Sequence, residues 1–125
     1  MLPEEHQLRF ENTEKLVNED VMVIEKTEHC DWLVVIMFYG AVHLVEREFA
    51  SRKKPFHSEN HPQRNKEARA LKCGSRVQGD LILLHDASLD ARYEANFHTC
   101  DDLIELKKAY NNIKNILGTS FKKAQ

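Results

Sequence analysis

The sequence predicts an all-α protein: an up-down bundle of four to five helices forming a single domain over residues 1–125. Three observations predict this. The chain holds only 4 Gly and 3 Pro, and no proline follows Pro62, so little interrupts long helices. Apolar residues recur at spacings of three and four along most of its length, the period of a helix with one buried face. The best strand candidate, VMVIE at residues 21–25, finds no second strand to pair with. At 125 residues, with 42% apolar content, the chain can bury a core without disulfides or metal.

The first helix is expected from Pro3 to about Lys26. Proline suits a helix start, and Leu8, Leu16, Val17, Val21 and Ile24 return at helical spacing. The second runs from about Asp31 to Lys53, where Pro55 stops it. Trp32 to Met37 is apolar on all sides, which predicts the buried centre of the bundle. Residues 55–61 read as a polar loop, with His61 as N-cap of a third helix beginning at Pro62 and ending at Gly74. The fourth spans Ser75 to Phe97, with Ile82, His85, Leu89, Arg92 and Tyr93 on one face. The fifth has a capping box at Thr99 and Asp102 and closes at Gly118. Leu103, Leu106, Tyr110, Ile113 and Leu117 form its apolar stripe. Short connections between long helices predict antiparallel neighbours.

Charge and cysteine use narrow the function. The net charge is −2. Yet Arg47 to Arg76 holds nine Lys and Arg against three Glu, a local excess of six positive charges on an otherwise acidic body. Such a segment suggests an anion-binding surface, or only a solvated helix and loop face. Cys30, Cys73 and Cys100 are odd in number and widely spaced, which fits reduced thiols. The N-terminus lacks a signal-peptide pattern. The longest apolar run, Trp32 to Tyr39, is eight residues, against the ~20 needed to span a bilayer. The expectation is a soluble cytoplasmic protein without membrane contact.

Several chemistries lack their signatures. The chain has no Walker loop, no GxGxxG and no GxSxG elbow, and no cysteine sits in a catalytic motif. His57 and His61 are four apart but straddle a helix boundary, and a third ligand would have to come from far along the chain. No metal and no cofactor are therefore expected.

The stretch FHSENHPQRN, residues 56–65, fits phosphate chemistry better. Cleaving RNA requires the 2′-OH to lose a proton, the leaving 5′-oxygen to gain one, and the phosphate charge to be neutralised. Histidine titrates near neutral pH and serves as acid or base. Arginine stays charged and grips phosphate with a planar fork. His57, His61 and Arg64 are the candidate catalytic set. Arg52, Lys53, Lys54, Arg69 and Arg92 are the candidate nucleic-acid contacts. The competing reading makes His61 a cap and Arg64 a solvated side chain. Tyr39, His43 and Arg47 share a face of the second helix. His85 and Arg92 share one of the fourth, beside Asp86 and Asp90. Either group lines a polar pocket or forms a buried network that orients the bundle.

Together, DWLVVIMFYGAVHLVE, the loop with His57, the His61-Pro-Gln-Arg64 segment and LHDASLDARYE resemble the HEPN domain family, above all its small stand-alone prokaryotic members. The resemblance covers roughly residues 30–118. It implies an all-α bundle, a symmetric homodimer, and either nucleotide binding or metal-independent ribonuclease activity in a toxin–antitoxin or defence system, with an antitoxin or other protein as partner. The family signature is Arg, four to six residues, then His. Here Arg64-Asn65 opens it, but position 69 is Arg and neither 70 nor 71 is His. Arg52 and His57 have the spacing, with Lys53 and Pro55 between them; Arg92 and His98 come within a residue of it. The alternative is a non-catalytic helical dimerisation or interaction module.

Overall fold

The structure, a computed structural model, describes residues 2–18, 30–93 and 100–118. These form five helices: α1 (Pro3–Val17), α2 (Cys30–Ala50), α3 (His61–Ala68), α4 (Gly74–Tyr93) and α5 (Cys100–Leu117). No strand occurs among the described residues. Helix α2 is the hub, packed against α1, α4 and α5; α4 also packs on α5, and the short α3 rests on α4. Contacts between side chains fix the directions. His6 meets His43 and Thr13 meets Gly40, so α1 and α2 run antiparallel. Gly40 meets Tyr110 and Arg47 meets Leu117, so α2 and α5 run the same way, as the second and fourth long helices of an up-down bundle do.

Enclosure by three helices explains the composition of α2. Leu33, Val34, Met37, Phe38, Ala41, Leu44, Val45 and Phe49 are all at most 1% exposed. The enclosure is not complete. Trp32, expected in the buried centre, is 62% exposed, and Tyr39 also faces outward. They lie seven residues apart, on one side of α2. On α1 the buried positions are His6, Phe10 and Val17, while Leu8 and Leu16 point to solvent. The hydrophobic spacing singled out the wrong leucines; Val21 and Ile24 lie outside the described residues. On α4, Val77, Leu81, Leu84 and Ala87 enter the core, and the expected face of Ile82 and Leu89 is exposed instead. The α5 stripe of Leu103, Leu106, Tyr110, Ile113 and Leu117 is buried throughout.

Helix ends depart from expectation for reasons of capping. Helix α2 stops at Ala50, three residues early: Ser51 turns back, its Oγ donating to the Arg47 carbonyl at 2.7 Å. The N-cap of α3 is Asn60, not His61. The Asn60 side chain accepts from the Gln63 amide at 2.8 Å, and the Gln63 side chain accepts in return from the Glu59 amide at 2.6 Å. A short amide side chain reaches the orphan donors of the first turn in a way an imidazole does not. His61 thus becomes the first helical residue. Gly74 does not end α3. It opens α4, and a Cβ there would lie 1.8 Å from the Arg69 carbonyl oxygen, so the close return of the chain demands glycine. Thr99 lies outside the described residues, as do positions 94–97 of the expected fourth helix.

Arg47 is fully buried. It donates to Gln7 Oε1 at 2.8 Å, to the Glu48 carboxylate and to the Leu117 carbonyl, tying α1 and α2 to the C-terminal end of α5. Its role is structural, in the orienting network that the sequence left open. No helix among the described residues is long and apolar enough to cross a membrane.

Candidate functional site

All five histidines with described side chains gather in one place, although they come from five separate segments. His6 lies on α1, His43 on α2, His57 in the α2–α3 loop, His61 at the start of α3 and His85 on α4. Close to two of them, His6 and His57, is the carboxylate of Glu46, 4% exposed.

Glu46 organises the cluster. Its Oε1 accepts from Arg64 Nε at 2.8 Å and from the Ser58 hydroxyl. Its Oε2 lies 3.8 Å from His57 Nδ1, beyond hydrogen-bond reach, and is buried with no hydrogen-bond partner among the described residues. Arg64 Nη1 sits 2.6 Å from His61 Nδ1. Arginine only donates, so His61 Nδ1 accepts, and the neutral ring carries its proton on Nε2. The His61 ring then packs on His85, centroids 4.4 Å apart, and both face Phe38.

A second pair of rings adjoins this set. His6 Nδ1 and His43 Nδ1 are 3.1 Å apart, so one donates and the other accepts. Burial holds both imidazoles below their ordinary range, His6 to about 4 with the positive charge of a protonated His43 adding to the effect. At neutral pH the pair is uncharged.

The predicted trio is therefore brought together around Glu46: Arg64 bonds the carboxylate, His57 lies near it, and His61 joins through Arg64. Their exposure differs. The His57 side chain is 69% exposed, whereas Arg64 is 13% exposed and committed to Glu46 and His61. Among the basic residues, Lys53, Lys54 and Arg69 are exposed. Arg52 pairs with Glu67 at 3.0 Å and lies over the Phe49 ring. The Arg92 side chain lies outside the described residues. Sequence reasoning missed His6, Glu46 and Ser58. Glu46 had a signal, since it follows His43 by three residues in an otherwise apolar stretch of α2.

No protein-family model, curated protein or solved structure matches this chain. The chemistry must be read from the cluster itself. It offers an exposed imidazole, a second imidazole with its tautomer fixed, and a guanidinium held in place by a buried carboxylate. It also offers three donors, from His6, Glu46 and His57, whose ligand atoms lie within 4.8 Å of one another.

Proposed function

We propose that this chain is a HEPN-like helical protein that binds RNA or a nucleotide at the His57–His61–Arg64 cluster and cleaves RNA without a metal ion. The observation that supports this reading most is a guanidinium anchored on a buried carboxylate, with His61 against the guanidinium and His57 near the carboxylate, at the edge of a basic segment.

The roles follow from the hydrogen bonds. His61 Nδ1 is taken by Arg64, so the neutral ring offers its Nε2–H as a hydrogen-bond donor to a phosphoryl oxygen. His57, the exposed imidazole, takes the proton from the 2′-OH and, then an imidazolium, gives it to the leaving 5′-oxygen. The 2′-oxygen bonds to phosphorus as the 5′-oxygen departs, leaving a 2′,3′-cyclic phosphate and a free 5′-OH. Arg64 stabilises the charge on the phosphoryl oxygens, and Glu46 keeps its fork from swinging away. Lys53, Lys54 and Arg69, with Arg52 and Arg92, hold neighbouring phosphates. The chain works as a homodimer in the cytoplasm, within a toxin or defence pair.

The test is incubation of the full chain with mixed RNA in EDTA. The parent cleaves, and His57→Ala and His61→Ala lose roughly 10²-fold or more. Arg64→Lys keeps charge but not the fork and also falls. Equal cleavage by all four proteins removes these residues from the mechanism.

A second reading, a non-catalytic dimerisation or interaction module, has its own support. Arg64 is already engaged by Glu46 and His61, and Trp32, Ile82, Leu83 and Leu89 are exposed apolar residues on α2 and α4. A parent that neither binds nor cleaves RNA, yet loses self-association on Trp32→Ser, favours this reading.

A further inference from the structure

We propose that His6, Glu46 and His57 form a binding site for a divalent transition-metal ion of the zinc class. The proposal goes beyond the RNA reading and does not depend on it.

The first ground is geometric. The three residues come from α1, α2 and the α2–α3 loop, yet one donor atom of each lies within 4.8 Å of the other two. The His57 Nδ1 to Glu46 Oε2 separation is 3.8 Å. A tetrahedral zinc, with bonds of about 2.0–2.2 Å, sets its ligands about 3.4 Å apart. A small contraction closes the difference, and His57, exposed on a loop, can supply it.

The second ground is independent of the spacing. His6 and Glu46 are 3% and 3% exposed, and each keeps one buried polar atom without a hydrogen-bond partner among the described residues, His6 Nε2 and Glu46 Oε2. A buried carboxylate oxygen and a buried imidazole nitrogen without partners are each unfavourable. A cation between them satisfies both.

The remaining atoms of the same residues are already held. His6 Nδ1 meets His43, and when it donates to that ring its Nε2 presents a lone pair. Glu46 Oε1 is fixed by Arg64 and Ser58, leaving Oε2 for one bond. Outer partners of this kind orient metal ligands. Two imidazoles and one carboxylate suit zinc and its neighbours better than magnesium or calcium, which prefer oxygen. Three protein ligands leave a fourth position, and the exposure of His57 opens it to solvent. The positive charge of Arg64 beside Glu46 opposes the cation, so the affinity is set by the three donors against that repulsion. Because His57 belongs to both sites, a bound cation withdraws it from proton transfer.

The experiment uses the full chain, stripped with EDTA and exchanged into chelator-free buffer. It is titrated with Zn²⁺ against a chromophoric zinc chelator, and separately with Co²⁺ while visible absorption is recorded. One zinc per chain is expected, with Co²⁺ bands of a four- or five-coordinate site. His6→Ala, Glu46→Gln and His57→Ala each weaken binding at least tenfold and erase the bands. His57 is exposed, so His57→Ala remains folded and informative even where the buried variants unfold. No uptake at one equivalent, or uptake that His57→Ala leaves unchanged, overturns the proposal. No RNA enters the assay, so its outcome is separate from that of the cleavage test.

Discussion

Arg64 reaches from α3 into the bundle and places its Nε 2.8 Å from Oε1 of Glu46 on α2, a residue eighteen positions earlier in the sequence. Both side chains are largely buried, at 13% and 4% exposure. This pair fixes where the α2–α3 loop, and with it His57, can sit.

Removing one member of such a pair leaves the other charge buried and uncompensated. Glu46→Gln is expected to destabilise the fold by about 3 kcal/mol. Arg64→Met, which removes the opposite charge, should recover part of that loss when combined with it, since the two sites are in contact. Urea unfolding of the two single variants and the double variant measures the coupling. Additive losses would mean that the pair carries no stabilising interaction.

The parts legible in the sequence were those encoded locally. The α5 stripe is buried because five apolar residues at heptad spacing leave one choice of inner face. His57, His61 and Arg64 lie within eight residues of one another, so their proximity was visible. The pairing of His6 with His43, 37 residues apart, was not, because no local pattern states which helix packs on which. On α4 the apolar residues outnumber the inner positions, and only contact with α2 and α5 decides that Leu84 is buried while Ile82 and Leu83 are not. The start of α3 turned on one residue, Asn60 rather than His61, a difference of capping strength that periodicity does not register.

The buried histidine pair predicts a pH-dependent stability. Folding lowers the His6 pKa from 6.5 to about 4, chiefly by desolvation, and lowers that of His43 as well. Between those two values the unfolded chain binds a proton that the folded chain refuses, so stability rises with pH across the window. The His6 contribution is fully present above pH 6.5 and is lost as pH falls towards 4. The loss is expected to be about 1–3 kcal/mol. Thermal unfolding from pH 7.5 to pH 4.5 should show Tm falling, with a shallower slope in His6→Ala even though that variant starts lower. An unchanged slope would remove His6 as the source.

Glu14 on α1 holds a second junction. It accepts from the Tyr110 hydroxyl and from Lys114 Nζ at 2.6 Å, both on α5. These bonds more than offset the carboxylate's own desolvation, so its pKa is lowered; burial raises that of the Tyr110 phenol. Tyr110→Phe keeps the packing of the ring but leaves the carboxylate one donor short. The expected cost is about 1–2 kcal/mol, read from denaturant unfolding. Because the Glu14 carboxylate must then ionise with less help, the difference between parent and variant should shrink as the pH falls and the carboxyl group takes up its proton. A cost independent of pH would point to ring packing instead.

Gly40 marks the point where α1, α2 and α5 meet. A Cβ added there would lie 2.9 Å from Thr13 Cγ2 and 3.2 Å from Tyr110 Cε1. Neither neighbour yields readily. The Thr13 hydroxyl donates to the Arg9 carbonyl at 2.9 Å, which pins its rotamer, and the Tyr110 ring is tethered through its hydroxyl to Glu14. In an exposed helix Gly→Ala would gain about 1 kcal/mol from backbone entropy. Overpacking of a tight core costs about 1–3 kcal/mol, so the steric term should win and Gly40→Ala should lower Tm by several degrees. Thr13→Ala removes the closest obstructing atom. In that background the same substitution should become neutral or stabilising, a change of sign that a helix-propensity effect alone would not produce. Calorimetry of the four proteins decides it: if Gly40→Ala stabilises the parent as much as it stabilises Thr13→Ala, α1 does not approach α2 as closely as these distances require.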